Sequence, residues 1–156
     1  MSDFFSDEHL TPNYNAPSPQ ADELKIVLET LEGIVRGGWS VEEWCEFYGY
    51  NKRQYDYYLN ANKWLGFVEG SPKENKPSNL GVHFVKQEKS TQYSLLKRII
   101  MKDPVFNETK DKDKSLRIAF AQSKMLDHQD LWKTASLTTM KRRATTVKNW
   151  LRLLKL

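Results

Sequence analysis

Apolar and polar positions along the chain recur with the period of helices, interrupted by short gaps marked by glycine and proline. In DELKIVLETLEGIVRGG, Leu24, Val27, Leu28, Leu31, Ile34 and Val35 return at three- and four-residue spacing. This predicts an amphipathic helix that begins near Asp22 and stops at Gly37 and Gly38. Ser40 followed by Glu43 has the form of a capping box, so a short helix is expected from Val41 to about Tyr48, ending at Gly49. NKRQYDYYLNANKWL predicts a third helix closed by Gly66. Its Tyr58, Ala61 and Leu65 fall on the inner side, and Lys52, Arg53, Asp56, Asn60 and Lys63 on the outer. Two helices joined by so tight a turn form a helix-turn-helix unit.

After Gly66 the pattern changes. Phe67 to Glu69 reads as a short strand, followed by a loop rich in Pro, Asn and Lys and a second strand around Val82 to Val85, together a hairpin wing. A second unit is expected from Lys89: a helix over QYSLLKRIIMKDPVF with Leu95, Leu96, Ile99 and Ile100 inward, closed by Pro104. NETKDKDK reads as a solvated loop, SLRIAFAQSKML as a helix with Leu116, Ala119, Phe120, Ser123 and Met125 near its inner side, and DHQDLWKTAS as a linker. Residues 1 to 20 lack a period and hold Pro12, Pro17 and Pro19, as a flexible tail would.

The closing segment TMKRRATTVKNWLRLLKL carries two lines of residues when placed on a helix at about 100° per residue. Met140, Ala144, Val147, Leu151 and Leu154 make an apolar stripe. Lys141, Thr145, Lys148 and Arg152 make an adjoining polar line, with Arg142 and Asn149 beside it. This helix and NKRQYDYYLNANKWL share an early basic pair and a later Trp-Leu pair, a weak internal repeat. The expected fold is therefore mainly α with a small β wing, a tandem winged helix-turn-helix whose second copy lacks a full wing. Its expected parts are an acidic tail over 1–20, a winged-helix unit over 21–87 and a winged-helix-like unit over 88–156.

Composition narrows the class. A 156-residue chain with 39% hydrophobic and 12% aromatic residues can build a core, and its mean hydropathy of -0.69 argues against a spanning helix. The opening MSDFFSDEHL is acidic, unlike a secretory signal, and the single Cys45 permits no intrachain disulfide, so a cytoplasmic setting is expected. The net charge of +4 is unevenly spread: residues 1 to 35 hold seven acidic side chains against Lys25 alone, or -6, which leaves +10 for residues 36 to 156. Between Ser136 and Leu156 there are six basic side chains and no acidic one. A solvated helix face ordinarily mixes signs, because an opposite-charge pair one turn apart contributes about 0.2–0.5 kcal/mol and a like pair costs a similar amount. Lys141, Lys148 and Arg152 lack such partners within their helix, which points to an external anion.

Catalytic chemistry is not expected. His9, His83 and His128 lack the spacing of a metal site, and no phosphate-binding or nucleophile-elbow motif is present. Asp103, Glu108 and Lys110 superficially match a nuclease pattern, but five residues cannot supply the two strands that would hold it. Cys45 beside Trp44 reads as a small core residue. No cofactor is implied.

QYDYYLNANKWLGFVEG resembles the recognition helix and first wing strand of small bacterial and archaeal winged-helix domains. RRATTVKNWLRLL resembles the closing segment of winged-helix modules associated with restriction-modification and phage-defence proteins. The resemblance implies DNA binding, with Lys52, Arg53, Arg142, Arg143, Lys148 and Asn149 as contacts. Helical placement adds Lys141, Thr145 and Arg152 to that set. The expected partner is double-stranded DNA, held by phosphate anchoring with limited groove readout. The alternative is a protein-interaction module, which predicts an exposed aromatic patch around Tyr50, Tyr55 and Tyr57.

Overall fold

The structure, a computed structural model, describes residues 5–71, 74–134 and 136–156. It is mainly helical with one small antiparallel sheet. Helix α1 spans Leu24–Arg36, α2 Val41–Tyr48 and α3 Lys52–Trp64. Both hydrogen bonds of the capping box at Ser40 form, and Gly49, at φ 69°, closes α2 in a conformation that glycine adopts without strain. Asn51 and Gln54 make a second capping box that opens α3, so one tight turn both ends one helix and starts the next.

The wing is shorter than the sequence predicts. Strand β1, Val68–Glu69, pairs with β2, Lys76–Pro77. The expected second strand at Val82 to Val85 is instead part of α4, Asn79–Val85, which Ser78 caps through the Gly81 amide. The cap explains the difference, because a serine hydroxyl satisfying a first-turn N–H commits the following residues to a helix. α4 also lies close to β1: a Cβ built on Gly81 would meet the Phe67 carbonyl oxygen at 2.2 Å.

Helix α5, Lys89–Ile100, buries Leu95, Leu96, Ile99 and Ile100 as expected. Pro104 does not merely close it; it is the first residue of α6, Pro104–Thr109, so Asn107, Glu108 and Thr109 are helical rather than loop. Helix α7, Arg117–Asp127, turns Arg117, Ala121 and Met125 inward, while Leu116, Ala119 and Ser123, expected on the inner side, are exposed. The supposed linker contains α8, Gln129–Trp132, with Trp132 buried. Helix α9 runs over Leu137–Leu153.

One apolar core passes through both units. Trp64 of α3 lies 5.7 Å from Phe106, 6.0 Å from Trp132 and 6.3 Å from Trp150, ring centre to ring centre. The N-terminal segment from residue 5, expected to be flexible, is packed against this seam. Leu10 is fully buried, Asn13 N–H donates to the Trp64 carbonyl, the Tyr14 ring meets Trp64 edge-on, and Ser18 Oγ donates to the Trp132 carbonyl. Its prolines fix an extended path between two apolar surfaces that its own short-range pattern does not reveal.

Candidate nucleic-acid interface

The two basic helices come together at Tyr57. Arg53 Nε donates to Tyr57 Oη at 2.8 Å, and the Arg53 guanidinium lies 5.7 Å from the centre of the same ring. The Arg142 guanidinium lies 5.1 Å from it. Seven residues further along α3, Trp64 meets Trp150, eight residues beyond Arg142 on α9. Two contacts so spaced set α3 and α9 side by side with the same chain direction, since both intervals span about 10–12 Å of helix. Among the described residues each arginine keeps guanidinium N–H groups without a protein acceptor, and the aromatic face orients the cations without neutralising them.

Around this pair the candidate contacts differ in their freedom. Lys141 is exposed and Lys148 half-buried, and among the described residues no carboxylate lies within 4 Å of either, nor of Arg142 or Arg152. Lys52 is exposed but paired with Asp56 at 3.2 Å, an exchangeable surface pair. Thr145 is half-buried, and its hydroxyl is turned back onto the Lys141 carbonyl at 3.1 Å. Asn149 and Arg152 border an open depression of about 560 Å³ that they share with Lys25 and Lys155 but also with Asp22 and Glu23. The basic residues at the N-terminal half of α9 thus stand clear of carboxylates among the described residues, and its C-terminal half is bordered by Asp22 and Glu23.

Arg143 leaves the set. It is 8% exposed and donates through Nη1 to the Trp132 carbonyl at 2.8 Å. The reason is angular: at 100° per residue Arg143 projects toward Val147 and Trp150 on the packed side, while Arg142 clears the surface.

The tyrosines of α2 and α3 are explained by packing. Trp44 is ringed by Tyr48, Tyr50, Tyr55 and Tyr58 at 4.9 to 5.7 Å. Tyr48 Oη donates to Glu29 and Tyr50 Oη to Glu23, while Tyr58 Oη accepts from the Glu23 N–H. Burial first, and the carboxylate second, raises the Tyr48 and Tyr50 phenols. Of the predicted aromatic patch, Tyr50 and Tyr55 pack against Trp44, and Tyr57 lies against Arg53 and Arg142. Among the described residues the exposed aromatics are Trp39 at 38% and Phe47 at 70%, their rings 5.5 Å apart. Nothing in the helical period of α2 marked Phe47 as outward-facing, and Trp39 lies in a turn outside any period.

The sequence matches a family model described as a domain of unknown function (DUF7226) over residues 26–154. The chain belongs to this family. Comparison with curated proteins and with solved structures gives no match. The matched span of DUF7226 takes in nearly all of α1, every element after it and both basic helices, and leaves out the packed N-terminal segment.

Asp103, Glu108 and Lys110 do not converge. The Asp103 carboxylate is buried beneath Tyr14 and Trp132, whereas Glu108 faces outward to His128 and Lys124, and Lys110 pairs with Asp111. Among the described residues no three His, Cys, Asp or Glu side chains are grouped to hold a metal ion, and no helix is long and apolar enough to cross a membrane.

Proposed function

We propose that this chain is a non-catalytic, cytoplasmic DNA-binding protein that holds duplex DNA through one composite face built from α3 and the N-terminal half of α9. The carrying observation is the convergence of Arg53 and Arg142 on Tyr57. An aromatic ring shared by two arginines fixes cations from separate helices at a common spacing while leaving guanidinium N–H groups for phosphate oxygens. The winged-helix resemblance favours the same partner, and with it a restriction, phage-defence or regulatory setting. Of the sequence-derived contacts, Lys52, Arg53, Lys141 and Arg142 form the proposed face, which Lys148 extends just past the midpoint of α9. Asn149 and Arg152 lie at its acid-bordered end, and Arg143 and Thr145 are not contacts.

A gel-shift titration tests the reading. Duplex binding is expected at about 50 mM salt, weakening with a slope of roughly -0.9 per phosphate neutralised. Arg53→Ala with Arg142→Ala should reduce that slope by about two phosphate contacts while changing stability by no more than about 0.5 kcal/mol, because both side chains are exposed. Absence of binding at low salt would sink the reading.

A second reading, a protein-interaction module, draws on the exposed Trp39 and Phe47. Helix α2 carries Glu42, Glu43 and Glu46 and no basic side chain, so this surface repels a nucleic acid. Phe47→Ser should leave DNA binding unchanged; if it alone abolishes association with a protein partner, the interaction reading gains.

A further inference from the structure

Arg143 is buried without a counter-ion. Its Nε has no partner, and among the described residues no carboxylate lies within 4 Å of its guanidinium. Burial pulls the guanidinium below the ordinary arginine range, opposed only by the Tyr57 hydroxyl. A desolvated cation with one protein acceptor is unfavourable unless an anion completes it.

The same side chain lines a cavity of about 260 Å³ together with Tyr14, Ser18, Trp132 and Lys133. Lys133 and Arg143 are the only charged residues of the full lining, and no carboxylate is among them. Lys133 follows α8 and is held at φ 48° and ψ 46°, with its Nζ donating to the Tyr14 carbonyl at 3.4 Å. Two carboxylates act on Tyr14 from outside the lining: Asp130, and Asp103, which is already bonded to Tyr14 Oη, Trp132 Nε1 and the Phe106 N–H.

We propose that this cavity binds a phosphoryl group. Two cations match its dianionic charge, and the arginine fork matches its oxygens. A volume below the roughly 300–1,000 Å³ of sites for drug-sized ligands fits one phosphoryl group with a short extension, not a whole cofactor. The proposal stands apart from the duplex reading, since Arg143 lies on the packed side of α9 and the basic edge on the other. The group is either free phosphate or the phosphorylated end of a nucleic-acid strand.

Titration of the ¹⁵N-labelled full chain with inorganic phosphate, against chloride at matched ionic strength, separates the outcomes. The Trp132 indole and backbone signals should move saturably with phosphate while those of Trp39 and Trp44 do not. Arg143→Met should weaken the apparent affinity by about tenfold or more, as loss of a charged hydrogen bond does, and Lys133→Ala by several-fold. If Arg143→Met fails to fold, Lys133→Ala decides alone. Non-saturable shifts equal in chloride, or saturation unaffected by either substitution, would overturn the proposal. A 5′-phosphorylated oligonucleotide binding more tightly than both its 5′-hydroxyl form and inorganic phosphate assigns the strand end; affinity no better than that of inorganic phosphate assigns the free anion.

Discussion

Adjacent residues in the KRR triplet have opposite fates. Arg142 reaches the surface over Tyr57, and Arg143, one residue and about 100° further on, enters the core. A substitution at either position therefore tests a different proposal: duplex binding at Arg142, and phosphoryl binding in the open cleft at Arg143. Asp103 is the other buried charge with a readable consequence. Burial raises its carboxyl above the ordinary 3.8, and the bonds from Tyr14, Phe106 and Trp132 only partly oppose this. A carboxyl that holds its proton more tightly folded than unfolded gains stability as pH falls through its folded value, a gain complete below 3.8. The difference in urea midpoint between the wild type and Asp103→Asn should accordingly move in favour of the wild type as pH is lowered from about 7 to about 4. A constant difference would mean that Asp103 does not titrate in that range.

At the level of elements, the turn between α2 and α3 is set by local chemistry. Ser40→Ala removes the hydroxyl that receives the Glu43 N–H and should cost about 1 kcal/mol, within the usual 0.5–2 kcal/mol for a lost cap, measurable by urea denaturation. The α4–β1 contact is set by close approach instead. Gly81→Ala would drive a methyl into the Phe67 carbonyl and is expected to destabilise by about 1–3 kcal/mol; a neutral effect would show that α4 can slide away from the wing. The wing itself is small because Ser78 turns the chain into α4 immediately after β2. Its short strands leave α3 and α9 as the elements that present charge.

Across the whole molecule, the aromatic seam joins what the sequence divides. Trp64 comes from the first unit and Phe106, Trp132 and Trp150 from the second, so the relative placement of α3 and α9, and hence of Arg53 and Arg142, depends on core packing. The N-terminal segment closes the seam. Leu10→Ala should lower stability by about 2–5 kcal/mol, as for other fully buried leucines, whereas an unchanged urea midpoint would mean the segment contributes nothing to the core.

By itself the sequence determined what short-range physics controls. The three-helix order of the first unit, the Ser40 cap, and the stripe of Met140, Ala144, Val147, Leu151 and Leu154 follow from capping chemistry and a 3.6-residue period, and all five stripe residues are buried. The same period separated the basic line of α9 from its core. Only the tertiary structure decided which apolar face of α7 found a partner, that Pro12, Pro17 and Pro19 lie in a packed strap, that Arg143 is inside, and that Arg53 and Arg142 share Tyr57. These depend on contacts between residues far apart in the chain, 89 positions for Tyr14 with Asp103 and 114 for Ser18 with Trp132. No local period encodes such pairings, because they arise only when separate apolar surfaces are buried against one another.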